Sequence, residues 1–275
     1  NLLYAGKLYG SFLSFSTIFD KLGIPHFPMG FPTIHDLPFV AKILIEHKIN
    51  ALFGLPSVLF LLFSQQRELL NEYGLIKKIF YGGEFLGHGQ RQIFEEMGVE
   101  LVQSAIYASL DAGVSGYACS HCPEGTFHLI TQTQWLEILQ IDNDIPVKGN
   151  EIGRLIFSSN RQSQPLQRYE LGDIGRWVSN HCPCGSAEPK FELLGRLGDT
   201  MKIGGTPPTD CKSIQAFIEQ RSGYQDALQI RLDYNTNHQE RLSLRFSGEP
   251  KLTSTQLKEA ILSHFPHFDR AVCDQ

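Results

Sequence analysis

The sequence predicts an α/β protein: a mostly parallel sheet with covering helices, then an antiparallel β region, then a small α+β C-terminal domain. Three observations carry this expectation. Up to about residue 102, short apolar runs alternate with longer amphipathic stretches, the rhythm of parallel strands joined by crossover helices. After about residue 106 the texture changes to short strands and turns, as in antiparallel sheet. Beyond Gly195 the order becomes helix, two strands, helix.

In the first region, strands are predicted over residues 24–27, 51–53, 78–81 and 100–103, each short and apolar enough to be buried on both faces. Helices are predicted over 11–22, 36–47, 57–72 and 89–97, with Asp36 and Ser57 placed as N-caps. The second region offers strands at 115–118, 126–131, 135–140, 153–157 and 174–178. The third offers a helix at 210–220, strands at 227–234 and 241–246, and a helix at 253–264. Asn235-Thr236-Asn237 supplies the turn between those strands. The Gly-rich stretch 198–208 reads as a junction between a core domain, residues 1–195, and a C-terminal domain, residues 196–275.

With 275 residues, 42% hydrophobic and 19% charged, the chain can bury a large core and a small one. The net charge is −5 and Lys and Arg are scattered, so there is no basic face for a phosphate backbone and nucleic acid is not an expected partner. The longest apolar run, residues 51–63, is broken by Gly54, Pro56 and Ser57 and is too short to span a bilayer, so no membrane association is expected. The first residue is Asn and no signal peptide is visible, so the natural start is expected upstream. The sequence leaves room for a homodimer without specifying one.

Four of the six cysteines fall as Cys119-x-x-Cys122 and Cys182-x-Cys184. These spacings suit a metal better than a disulfide framework and point to a reducing cytoplasm. Thiolate and imidazole are the ligands that structural Zn²⁺ selects, four of them in a closed tetrahedron. The spacing fits a four-thiolate site from Cys119, Cys122, Cys182 and Cys184, with His128 close by in sequence as a fifth donor. Cys211 and Cys273 lack such partners and read as packing or exposed thiols.

Four further segments occur in a fixed order. They are Tyr81-Gly82-Gly83-Glu84, then Tyr107-Ala108-Ser109-Leu110-Asp111, then Pro165-Leu166-Gln167-Arg168-Tyr169-Glu170-Leu171-Gly172-Asp173, and last Gly195-Arg196-Leu197-Gly198-Asp199. In this order they resemble the motifs of the phenylacetate-CoA ligase-like family within the adenylate-forming (acyl-CoA synthetase) superfamily. The resemblance is strong from Tyr81 to Gly205 and weak after Asp210. It implies that Gly82, Gly83 and Glu84 lie against the adenine of ATP or AMP, flanked by Tyr107 and Ala108. It also implies that Asp111 helps place Mg²⁺ on the ATP phosphates, that Asp173 accepts the ribose hydroxyls from the end of a tight Gly turn, and that Arg196 contacts ribose or phosphate. Asp111 and Arg196 are thereby the expected catalytic residues. Ala108, Leu110 and Asp111 depart from the family's glycine, hydroxyl residue and glutamate, and Gly198 stands where the hinge motif has an acid. For the metal, the resemblance points to Cys122, His128, Cys182 and Cys184, so two ligand sets remain open.

The family reaction converts ATP and a carboxylic acid to acyl-AMP, then moves the acyl group to a thiol, usually of CoA. Its Ser/Thr/Gly-rich phosphate loop and its late C-terminal lysine have no counterpart here, and Lys258 sits in a surface helix pattern. The chain is therefore expected to be a fragment that recognises the nucleoside and anchors a hinge without completing adenylation alone. The acid-binding wall is expected along residues 51–57, the Gly83 loop and residues 104–107, because ligands in such sheets lie at the carboxyl ends of strands. Two other readings are a ligase that loads a carrier-protein thiol, and a non-catalytic scaffold that keeps the fold and its zinc.

Overall fold

Three of the apolar runs form the parallel strands β1 (Ala51–Gly54), β2 (Lys78–Tyr81) and β3 (Leu101–Ser104), hydrogen-bonded in that order. This computed structural model describes residues 1–5, 10–84, 86–162, 164–179, 181–197, 200–201, 209–224, 227–234 and 240–265. It forms two compact units, residues 1–86 with 90–108, and residues 87–89 with 109–275. In the first unit the helices are α1 (Ser11–Lys21), α2 (Leu37–Glu46), α3 (Pro56–Gln65), α4 (Arg67–Tyr73) and α5 (His88–Glu96). Leu52, Ile79 and Val102 from the strands meet Leu44, Leu59 and Phe94 from the helices in one apolar core.

Several expectations in this unit need correction. Residues 24–27 form no strand, because Pro25 lacks the N–H that a ladder requires and Pro28 follows directly. The helix expected over 57–72 is broken at Gln66, and each half turns its own apolar residues inward, Leu59, Leu62 and Phe63 from α3 and Leu70 from α4. Ser57 is not the cap of α3. Pro56 takes the first helical position, where its missing N–H costs nothing, and Leu55 becomes the capping residue. Asp36 does occupy the N-cap position of α2, as expected, but its carboxylate turns back to accept Thr33 N and Oγ1, at 2.8 and 2.7 Å, and makes no capping hydrogen bond to the helix.

In the second unit β5 (Gly113–Tyr117), β6 (Thr126–Leu129), β7 (Gln134–Leu139), β8 (Gly153–Ser159), β9 (Leu166–Val178) and β10 (Lys190–Arg196) form an antiparallel sheet. They follow β4 (Ile106–Ser109) in the chain, and their spatial order is β5-β6-β10-β9-β8-β7. Phe127, Leu155, Phe157, Ile174 and Phe191 fill the sheet's buried face. Strand β9 is longer than the expected 174–178 and takes in most of the Pro165–Asp173 motif. That motif lacks alternating polarity because it lies across bulges, where the β8–β9 register shifts between Arg154 and Ile156 and between Phe157 and Ser159.

Farther along lie the short pair β11 (Thr200–Met201) and β12 (Thr209–Asp210), then α6 (Cys211–Ser222), β13 (Leu228–Tyr234), β14 (Glu240–Phe246) and α7 (Ser254–His264). This is the expected α+β module. Ile214 and Ile218 of α6 pack on Leu257 and Ile261 of α7. Thr253 and Gln256 close a capping box, with Gln256 N donating to Thr253 Oγ1 at 3.3 Å and Thr253 N to Gln256 Oε1 at 3.0 Å. The predicted turn 235–237, and the predicted junction 198–208 except for residues 200–201, lie outside the described residues. Among the described residues no helix is long and apolar enough to cross a membrane.

Candidate functional site

Tyr81 is buried at the end of β2, and the chain then leaves the sheet through Gly82 and Gly83. Gly83 has φ +81°, a conformation that favours glycine, and a Cβ there would sit 3.1 Å from Leu55 Cδ2, a tight contact that the leucine side chain would have to relax. Glu84 reaches back to the start of α3, where its carboxylate accepts Ser57 N at 3.0 Å. A carboxylate at a helix N-terminus satisfies a free backbone donor and complements the helix dipole. Tyr107 is buried in β4, and Ala108 beside it is exposed.

In the second unit the remaining motif residues associate in pairs. The turn after β4 carries Leu110 and Asp111, Leu110 being 74% exposed. Ala112 N donates to Ser109 Oγ at 2.9 Å, and the buried Gln134 donates to Ala112 O at 2.9 Å. The exposed Asp111 carboxylate accepts the Tyr169 hydroxyl at 3.1 Å. That hydrogen bond, with the negative charge behind it, raises the Tyr169 phenol above its ordinary pKa of 10.0. Asp173 lies within β9 next to Gly172, whose φ is +78°, and so belongs to a bulged strand and not to the expected tight turn. Its cross-strand neighbour is Arg196, and Arg196 Nε lies 3.1 Å from Asp173 Oδ1. Arg196 also donates from Nη1 to Leu171 O. Asp173 is nearly buried whereas Arg196 is largely exposed, so the pair orients Asp173 more than it stabilises the fold. Asp199, expected in the same hinge motif, lies outside the described residues.

The cysteines gather at one place in the second unit. Sγ of Cys119, Cys122 and Cys182 and a ring nitrogen of His128 all lie within 4.8 Å of one another. Cys119 Sγ is 3.5 Å from both Cys122 Sγ and Cys182 Sγ. That is far outside a disulfide bond of about 2.05 Å. It is close to the edge of a zinc tetrahedron, because Zn–S bonds of about 2.3 Å hold their sulfurs about 3.8 Å apart.

Two tight turns build the cluster. Cys122 N donates to Cys119 O at 2.9 Å, and Gly185 N donates to Cys182 O at 3.1 Å, with Gly185 at φ +81°. His128, fully buried in β6, stacks on Tyr117 with ring centroids 5.0 Å apart. Its Nδ1 faces Glu188 O at 3.4 Å, which leaves Nε2 for the cluster, the orientation that metal-binding histidines adopt. Glu188 is itself tied to Thr131 at 2.6 Å and Gln132 at 2.8 Å. The backbone N–H of Cys184 facing its sulfur lowers the Cys182 thiol to about 6 despite burial, so it is a thiolate at neutral pH.

Cys184 is exposed, its sulfur 3.5 Å from His128 Nε2 and accepting Ser186 N at 3.4 Å. The mutually close set, Cys119 with Cys122, His128 and Cys182, is neither of the two that the sequence left open. Sequence reasoning missed the contacts of Tyr169, whose only signal was its place between Arg168 and Glu170 in the third motif.

No protein-family model matches the chain, and no curated protein does. Among solved structures, the chain is similar to 2-hydroxyisobutyryl-CoA ligase in the postadenylation state in complex with 2-HIB-AMP, at 20% identity and a TM-score of 0.75 over 100% of this chain and 60% of that one. It is also similar to the amide bond synthetase McbA from Marinactinospora thermotolerans, at 13% identity and a TM-score of 0.61 over 86% of this chain and 49% of that one. A third is the anthranilate CoA ligase AuaEII in complex with anthranoyl-AMP, at 13% identity and a TM-score of 0.58 over 90% and 48%. The chain therefore has the fold of adenylate-forming enzymes and spans about 60% of the length of the 2-hydroxyisobutyryl-CoA ligase.

Proposed function

We propose that the full-length protein is an acid–thiol ligase of the phenylacetate-CoA ligase type, forming acyl-AMP from ATP and a carboxylic acid and passing the acyl group to a thiol, that of CoA. The observation that carries this reading is the pairing of motif residues far apart in sequence, Asp111 with Tyr169 and Asp173 with Arg196, within an adenylate-forming fold. In the first step a carboxylate oxygen attacks the α-phosphorus and pyrophosphate leaves. In the second the thiol sulfur attacks the acyl carbonyl and AMP leaves.

The side chains act by positioning and by charge. Asp173 accepts the ribose hydroxyls, and Arg196 holds Asp173 and meets ribose or phosphate. Gly82, Gly83, Glu84, Tyr107 and Ala108 take the adenine side. The exposed carboxylate of Asp111, with one oxygen engaged by Tyr169, suits a hard divalent cation. Asp111 would hold Mg²⁺ there, and the ion would supply positive charge against the triphosphate. Residues 196–275 begin the domain that turns between the two steps. Cys119, Cys122, His128 and Cys182 would hold Zn²⁺ in a structural role, which would staple the 119–122 turn to the 182–185 turn.

The test is pyrophosphate exchange into ATP by the full-length protein across a panel of aromatic and aliphatic acids. Exchange that depends on one acid class supports the reading, and CoA-dependent release of AMP then separates CoA from a carrier-protein acceptor. Absence of carboxylate-dependent exchange with every acid would leave the scaffold reading in its place.

A further inference from the structure

Asp111 sits in a turn held from several directions. Ser109 and Gln134 fix Ala112 on either side of its peptide, as described above. The Arg161 guanidinium packs over Gly113, whose φ is +70°, and a Cβ on Gly113 would land on Arg161 Nη1. That nitrogen is buried and has no hydrogen-bond partner among the described residues, so it acts as packing against the turn. The turn is thus fixed, while the carboxylate projecting from it is exposed. The one hydrogen bond given to that carboxylate among the described residues comes from Tyr169.

The backbone of β9 is distorted where it delivers Tyr169. Arg168 has φ +47°, a left-handed conformation rarely adopted by a residue with a long side chain. It falls at the register shift between Phe157 and Ser159 in the pairing with β8. Arg168 N donates to Ser158 Oγ at 3.0 Å, and Arg168 Nε lies 3.1 Å from Glu137 Oε2, so the strained residue is pinned at both backbone and side chain. Strain retained in this way marks positions where a local conformation serves the site. Here it re-aims the next side chain, Tyr169, onto a carboxylate 58 residues away in sequence.

We infer that Tyr169 is a positioning residue for Asp111: its hydroxyl holds Oδ2, fixing the carboxylate so that Oδ1 is presented to the divalent cation of a metal–nucleotide complex. This rests on the nucleotide-activating reading of Asp111. Hydrogen bonds to a ligating carboxylate typically change metal affinity by about 10–100-fold when removed.

The probe is Mn²⁺, titrated into the full-length protein in the presence of saturating non-hydrolysable ATP and followed by electron paramagnetic resonance. Tyr169→Phe is expected to weaken Mn²⁺ binding about tenfold, while AMP binding without metal stays within about twofold and the melting temperature stays close to that of the wild type. Asp111→Asn is expected to weaken Mn²⁺ binding at least as much. If Asp111→Asn weakens the cation and Tyr169→Phe does not, the positioning role is wrong and the nucleotide reading stands. If Asp111→Asn leaves Mn²⁺ binding unchanged, the reading of Asp111 fails and the inference with it.

Discussion

Replacing Cys119 by serine is expected to remove most of the zinc from the full-length protein and to lower its melting temperature by about 10 °C, whereas Cys184→Ser keeps most of the metal. The asymmetry follows from where the two sulfurs stand. Cys119 lies at tetrahedral-edge distance from both Cys122 and Cys182, so losing it opens the coordination shell at a vertex shared by two turns. Cys184 is exposed and, although its sulfur lies 3.5 Å from His128 Nε2, it falls outside the mutually close set. One ligand's share of the roughly 10–16 kcal/mol typical of structural zinc is about 3 kcal/mol. In a chain of this size that corresponds to about 10 °C. Elemental analysis after gel filtration without chelator, paired with calorimetry, reads both effects. A Cys119→Ser protein with a full equivalent of zinc, beside a Cys184→Ser protein without it, would reverse the assignment in favour of Cys122, His128, Cys182 and Cys184.

The parts of this fold that rest on local chemistry were legible in the sequence. The runs that became β1, β2 and β3 are centred on apolar residues, Leu52 and Phe53, Ile79 and Phe80, and Leu101 and Val102, and their parallel direction follows from the helices between them. The C-terminal module was equally readable, since Ile214, Ile218, Leu257 and Ile261 repeat at helical spacing. Residues 190–196, Lys-Phe-Glu-Leu-Leu-Gly-Arg, mix charge and glycine and gave no strand signal. Yet they form β10, which inserts between β6 and β9, because their partners are supplied from elsewhere in the chain.

The candidate site divides in the same way. Its residue types were readable from motifs and spacing, and so was the clustering of the cysteines. Which acid meets which partner was not. The Asp111–Tyr169 contact depends on a left-handed Arg168, and the Asp173–Arg196 contact on a bulge at Gly172 and a register shift between Leu193 and Gly195. A propensity argument cannot anticipate such positions, since every local preference speaks against them.

The same bulged region makes a glycine pair the most sensitive backbone position in the sheet. Gly153 and Gly175 stand opposite each other on β8 and β9. A methyl group on Gly175 would land on the carbonyl oxygen of Glu192 and lie 3.1 Å from Leu155 Cδ2. One on Gly153 would land on Leu139 O, with Val147 Cγ1 at 2.7 Å and Ile138 Cγ2 at 2.9 Å. Backbone oxygens in a ladder cannot yield without loss of pairing, so Gly175→Ala is expected to destabilise the protein by about 3 kcal/mol. Gly82→Ala, where a Cβ meets nothing within 4 Å, serves as the control and is expected to stay within about 0.5 kcal/mol.

The damage should also reach Asp173 and Arg196, the residues proposed to hold the nucleotide. Gly175 pairs with Leu193, and beyond the register shift the next pairs are Ile174 with Gly195 and Asp173 with Arg196. Strand separation at Gly175 therefore pulls Arg196 away from Asp173, and AMP affinity should fall in Gly175→Ala even at temperatures where the protein is folded. Calorimetric titration of AMP beside thermal melts distinguishes this from simple unfolding. A Gly175→Ala protein as stable as the wild type would mean that β9 and β10 do not approach as closely as the glycines imply. One that is destabilised yet binds AMP normally would detach the Asp173–Arg196 pair from the nucleotide.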